Sequence, residues 1–176
     1  MRLKPQQIPQ ELALGLAWRM PRITLGAEFT WIDWSSTFDR FEARLEDGTS
    51  AELNELTGDG NTTVHVSVPL RWRDQIVIAF GASVAVTDAL VLRAGYNYGR
   101  NPVPSRFAEP TLPAIFEHHV TAGCSLSVRR LEISAAIEYA LPVSFTIDRN
   151  DANLEVSGSR IDASLLWVSL GVGLRF

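Results

Sequence analysis

A chain of 176 residues with 16 basic and 20 acidic side chains, a net charge of −4 and no basic run carries no electrostatic footprint for nucleic acid. The single cysteine, Cys124, excludes an internal disulfide framework and a thiolate metal cluster, and no apolar run reaches the roughly eighteen residues of a transmembrane helix. The length suits one domain with a core of its own.

The opening MRLKPQQIPQELALG has Pro, Gln and Glu where a signal peptide needs an apolar core, so any export signal is expected outside this sequence. Beyond it, helical periodicity is weak and alternation at period two is strong. Strands are predicted at about residues 10–20, 22–46, 62–87, 88–99, 115–129, 130–147 and 153–176. The joints near Met20-Pro21, Thr87-Asp88 and Arg129-Arg130 are tight, whereas 47–61, 99–114 and 148–153 are longer and rich in Gly, Asp, Asn or Pro. In an up-and-down meander the tight joints then share one end and the long ones the other, as in an outer-membrane barrel. The segment GYNYGRNPVPSRFAEPTLP, 95–113, holds four prolines, which predict a stiff external loop.

The two faces of these strands differ in kind. One comprises Leu12 to Trp18 and Ile23 to Trp31 at alternate positions, then even positions 76–86, 90–98 and 120–128, odd positions 131–141 and even positions 166–176. Its 37 positions hold no charge, amide or hydroxyl other than tyrosine. The other face has 30 positions, of which 21 are Gly, Ala, Ser or Thr and five are charged: Glu28, Arg93, Glu132, Glu138 and Arg175. A soluble half-buried sheet would cover its outside with many charges. A lipid-bathed face and a crowded small-residue lumen fit both patterns.

Aromatic placement adds a check, since Trp and Tyr collect at membrane boundaries. Trp31, Trp34, Trp72, Tyr96, Tyr98 and Tyr139 fall toward the long-loop end, Trp18 and Phe176 toward the other. Residues 76–86 are read as a membrane span of about the length a tilted strand needs, with 62–74 extending above it. An odd strand count predicts at least one further strand before residue 10 in a closed barrel, because open edges in hydrocarbon are costly.

Several stretches resemble the family of outer-membrane transporters of long-chain fatty acids and aromatic hydrocarbons known as FadL/TodX. They are IPQELALGLAW (8–18), EFTWIDWSSTF (28–38), WRDQIVIAFG (72–81), LRAGYNYGRNPVPSRFAEPTLP (92–113), HHVTAGCSLSV (118–128) and SLGVGLRF (169–176). The resemblance implies an all-β fold, an antiparallel up-and-down transmembrane β-barrel of which residues 1–176 supply about seven strands. They would be the second half of a fourteen-stranded barrel, without its N-terminal hatch and first strands. It also implies a passive, non-enzymatic transporter in the outer membrane, crossed many times, with no cofactor. Its partners would be outer-membrane lipid, a hydrophobic ligand such as a long-chain fatty acid, and the barrel assembly machinery that reads the terminal Phe176.

The resemblance further implies a basic side chain that meets a ligand carboxylate, and the match to the WRD segment falls on Arg73. Odd parity predicts Arg73 and Arg71 on the lumen face, where an Arg fork suits a carboxylate; balancing of lumenal acids is the alternative. Arg93 is a further candidate for ligand contact, with a lumenal ion pair as the commoner explanation, and Trp167, the one large aromatic facing inward in the last strand, suits an apolar ligand wall or packing against the hatch equally. Glu28, Glu132, Glu138 and Arg175 are predicted as lumen charges held in ion pairs. Glu117, His118 and His119 do not make a metal site, since adjacent strand residues point to opposite faces. No histidine is placed to serve Ser125, Ser127 or Asp162 as a nucleophile, so no catalytic residues are assigned. Two other functions suit an up-and-down barrel: a soluble lipocalin-like carrier, which needs the 37-position face inside, and a surface adhesin or receptor that transports nothing.

Overall fold

The structure is a computed structural model that describes residues 2–3, 7–45, 64–108, 115–149 and 154–174. Seven strands form one antiparallel sheet: β2 (Glu11–Arg19), β3 (Ile23–Ile32), β6 (Gln75–Ala85), β7 (Leu90–Gly99), β8 (His118–Val128), β9 (Leu131–Thr146) and β10 (Arg160–Leu174). Each pairs with its neighbour in chain order, so the sheet is the expected meander, with β2 and β10 as its two edges. Between β3 and β6 the chain makes a helical turn, α1 (Trp34–Thr37), and the pair β4 (Arg40–Leu45) and β5 (Val64–Pro69). These form a second, three-stranded sheet with β1 (Arg2–Leu3).

Turn chemistry explains why one end is tight. The Met20 N–H donates to the Ile23 carbonyl at 2.8 Å across Pro21, which presets its own φ for a turn. Thr87 Oγ1 accepts from the N–H groups of Ala89 and Leu90. Arg129, at φ 57°, takes the left-handed conformation that a two-residue hairpin requires between Val128 and Leu131. The long connections lie at the opposite end, and the whole of the predicted joint 47–61 lies outside the described residues, as does Arg175.

The structure corrects the sequence reading in three places. The predicted strands 22–46 and 62–87 are each broken. Asp33 accepts from the Ser36 N–H and starts α1, and Arg71, at φ 50°, turns the chain between β5 and β6. Alternation therefore does not carry across 70–74. Trp34 and Trp72, expected in an interfacial belt, instead pack together with Phe38: the Trp72 ring stacks on Phe38 at 4.8 Å and meets Trp34 edge-on at 5.3 Å. Trp34 Nε1 donates to Gln75 Oε1 at 3.0 Å.

The third difference lies in β9. Val143 pairs with Ala163 but Ala140 pairs with Leu165, so Leu141 and Pro142 stand opposite Ser164 alone. Proline lacks the N–H a regular ladder needs, and a bulge accommodates it. The extra residue inverts the alternation. Below it Glu132, Ser134, Ala136 and Glu138 share the small-residue face; above it Val143 and Phe145 take that side, paired with Ala163 and Ile161.

Candidate functional site: an inner trough and its mouth

The small-residue face is concave. A trough of about 1130 Å³ is lined from Gly15 and Ala17 on β2, through Gly81, Gly95 and Gly123, to Gly171 on β10, so the sheet curls around its small side chains. Glycine leaves room where strands carry bulk across this face: a Cβ at Gly95 would stand 2.6 Å from Thr121 Oγ1 unless that hydroxyl turned away, and one at Gly123 would stand 3.1 Å from the Ala135 carbonyl oxygen. On the convex side the large apolar residues are bare, with Leu16 at 77%, Phe80 at 56% and Leu170 at 81% exposure. A soluble carrier of the lipocalin type needs that face inside. It is the outside, and water would not tolerate an apolar patch of this extent.

Of the predicted lumen charges, the described ones do line this face, but their partners are mostly not each other. Glu28 Oε1 accepts from the Thr30 hydroxyl at 3.3 Å. Arg93 Nη1 donates to Ser125 Oγ at 2.6 Å, and Ser125 is hydrogen-bonded to Ser134 at 3.0 Å on the next strand. Glu138 pairs with His119, 2.9 Å between Oε1 and Nδ1. Trp167 stands across from Glu138 on the edge strand, 62% exposed. The adjacent histidines separate as strand geometry demands: His118 turns to the outer face, bonded to the Tyr96 hydroxyl at 2.6 Å and 5.0 Å from the Tyr98 ring.

Arg71 and Arg73 are not side by side on a strand face. Arg71 reaches Asp39 at 3.5 Å from its left-handed turn. The Arg73 side chain is exposed, and among the described residues its guanidinium has no partner; its N–H donates to the Pro102 carbonyl at 2.9 Å. Asp74 beside it accepts from Ser35. The Ser35 hydroxyl first, then its N–H at 3.1 Å, hold the carboxyl below the usual aspartate range.

The mouth above the trough is where sequence reasoning saw least. The described part of the predicted proline loop, up to Ala108, folds inward, whereas Pro110 and Pro113 lie outside the described residues: Val103 and Ala108 are buried against Ile147, with Trp72, Phe145, Val156 and Ile161 packed around them. Asn101 shapes this segment by accepting from the Val103 N–H through Oδ1 at 2.8 Å, while its own N–H donates to Glu117 Oε1 at 2.7 Å. Ser105 donates to Asp148 and fastens the loop to the end of β9. The Asn-Pro-Val-Pro run was the available signal for Asn101, whereas Glu117 and Asp148 had none, since the contacts cross separate connections.

The profile of the family described as "Outer membrane protein transport protein (OMPP1/FadL/TodX)" matches residues 5–176. Solved structures share the fold. A deltaS2 mutant of the TodX monoaromatic hydrocarbon channel superposes with a TM-score of 0.71 at 22% identity, over 97% of this chain and 36% of that one. The toluene transporter TbuX of Ralstonia pickettii gives 0.63 at 16% identity, over 95% and 33%. A FadL homologue of Pseudomonas aeruginosa gives 0.59 at 26% identity, over 93% and 34%. The chain thus spans about a third of the length of these relatives. A search of curated proteins finds no match. With a matching profile over nearly every residue and an antiparallel seven-stranded sheet of the same kind, the chain belongs to the OMPP1/FadL/TodX family of outer-membrane transport proteins.

Proposed function

We propose that this chain forms part of the wall of a passive outer-membrane channel for hydrophobic compounds, long-chain fatty acids among them, and crosses the membrane seven times. One observation carries the reading: an uninterrupted apolar convex face backs a trough whose lining is small enough to leave room for a ligand. Outer-membrane lipid covers the convex face. The ligand moves down its gradient unchanged, along a lining that among the described residues is mostly Gly, Ala, Ser and Thr. Arg73, exposed at the mouth, meets the head of a carboxylate ligand as it arrives.

The test is uptake of a labelled long-chain fatty acid by cells that express the native gene, against a deletion strain. Uptake that requires the gene, and that falls about tenfold with Arg73→Ala, is the expected result, the size of one charge-assisted hydrogen bond lost. Equal uptake in the deletion strain overturns the transport reading, and unchanged uptake in the variant removes only the part assigned to Arg73.

A further inference from the structure

We infer that Arg129 and Arg130, at the tip of the β8–β9 hairpin, hold the phosphate of an anionic phospholipid in the periplasmic leaflet of the outer membrane. The inference rests on the membrane-crossing part of the reading above and not on what is transported. It starts from an imbalance of charge at the end with the tight turns, which in outer-membrane barrels is the periplasmic one. Among the described residues, those turns and the strand ends beside them hold Arg19, Arg22, Arg129 and Arg130 against the acid Asp88. Asp88 is engaged by Arg22, 3.4 Å from Nη2, and Glu132, two residues up β9, lines the trough. Arg129 and Arg130 are exposed, and among the described residues neither guanidinium has a hydrogen-bond or ion-pair partner. At the opposite end, by contrast, Arg71 meets Asp39 and Arg160 meets Asp162. Arg19 does not share the site: β2 lies four strands from β8, about 19 Å at ~4.8 Å per strand.

Turn formation gives no reason for these side chains. A two-residue hairpin favours glycine where φ is positive, because a Cβ crowds the backbone there, yet Arg129 stands at φ 57°. The neighbours point to lipid. Val128 and Leu131, just before and after the tip, are 52% and 36% exposed on the convex face, and Leu126 and Ile133 continue it up the two strands. The apolar face therefore runs down to the tip and ends on two guanidinium groups, the order in which a phospholipid presents its acyl chains and its phosphate. Long arginine side chains reach from an apolar surface to the head-group level, and the planar fork matches two phosphate oxygens. A zwitterionic head group carries its own cation beside the phosphate and neutralises it, so a lipid with net negative charge is preferred. Free phosphate has no chains to lie against Val128 and Leu131.

The experiment titrates the barrel expressed from the native gene, in neutral detergent, with phosphatidylglycerol or with phosphatidylcholine of the same acyl chains, and counts retained lipid by native mass spectrometry. One variant combines Arg129→Gly with Arg130→Asn, residues that suit the turn and carry no charge; another combines Arg129→Lys with Arg130→Lys. An arginine near an anionic head group strengthens binding about fivefold. The expected result is phosphatidylglycerol binding about tenfold or more weaker in the Gly-Asn variant and within about threefold of the unsubstituted protein in the lysine variant. Phosphatidylcholine binding should stay within about twofold throughout, and heat resistance in detergent alone should be no lower in the Gly-Asn variant, since its turn is relaxed. If that variant does not assemble, Arg130→Gln decides, with an expected loss of about fivefold. An unchanged ratio of phosphatidylglycerol to phosphatidylcholine bound overturns the assignment, as does a preference that raised salt leaves intact. A Gly-Asn variant that assembles poorly in cells while its lipid preference persists points to a protein partner and overturns it too. Lost lipid preference in a barrel that takes up no fatty acid still supports the assignment, whereas an unsubstituted protein that stays dissolved without detergent removes the membrane-crossing reading and the inference with it.

Discussion

Replacing Ile147 by Ala tests whether the mouth is a separately packed unit. Ile147 is fully buried, and its backbone bonds, from its N–H to the Ser159 carbonyl and from the Gly158 N–H to its own carbonyl, survive the truncation. Only packing against Val103, Ala108 and their neighbours is lost. Deleting three carbon groups at ~0.8 kcal/mol each, with the cavity left behind, costs about 2–5 kcal/mol. If that loss is borne by the docked segment 101–108, the population in which it is undocked rises between about thirtyfold and several thousandfold. Amide hydrogen exchange at Val103 and Phe107 reads this directly, since their N–H groups bond to Asn101 Oδ1 and to the Pro104 carbonyl. Exchange within β7 and β8 should stay unchanged, as should exchange everywhere after Ile137→Ala on the outer face. Unaltered exchange at Val103, or equal acceleration in the strands, would refute the view that Ile147 holds the mouth locally.

The face assignment predicts that Phe80→Lys, at the middle of β6 on the convex side, costs about 2–4 kcal/mol of stability in lipid vesicles while Ala79→Lys on the trough side, across from Glu28, folds normally, as read by folding yield. Asp74 is held below its ordinary range by Ser35, so its contribution is complete above the unfolded value of 3.8 and disappears as pH falls through the lower folded value. Fluorescence of the nearby Trp34 and Trp72 should therefore change only in acid below about pH 4, and Asp74→Asn should abolish that step. Two glycines should fail for different reasons, both seen as lowered thermal stability. Gly123→Ala forces a Cβ to 3.1 Å from a neighbouring carbonyl and costs about 1–3 kcal/mol, whereas Gly158→Ala meets no atom within 4 Å but sits at φ +78° and costs about 1–2 kcal/mol.

Strands, their faces and the end at which each joint lies were legible from the sequence, because period-two alternation is a property of a strand taken alone. The contrast between Leu12, Leu14, Leu16, Trp18 and Ala13, Gly15, Ala17 needs no partner to be read. The same rule misplaced Trp72 and the pair Arg71 and Arg73. Apolar residues at even positions run from Val64 through Trp72 and resume at Ile76, and nothing in that pattern reveals that the chain leaves one sheet for another at a left-handed arginine. The predicted strand 130–147 ran straight through Pro142, and its alternation did not tell that a bulge there would turn Phe145 toward the mouth. Tertiary structure alone decided the remaining contacts: Arg93 with Ser125, Glu138 with His119, Ser105 with Asp148. Each joins side chains from different strands or connections, and which of them meet depends on register and curvature, which a one-dimensional pattern does not carry.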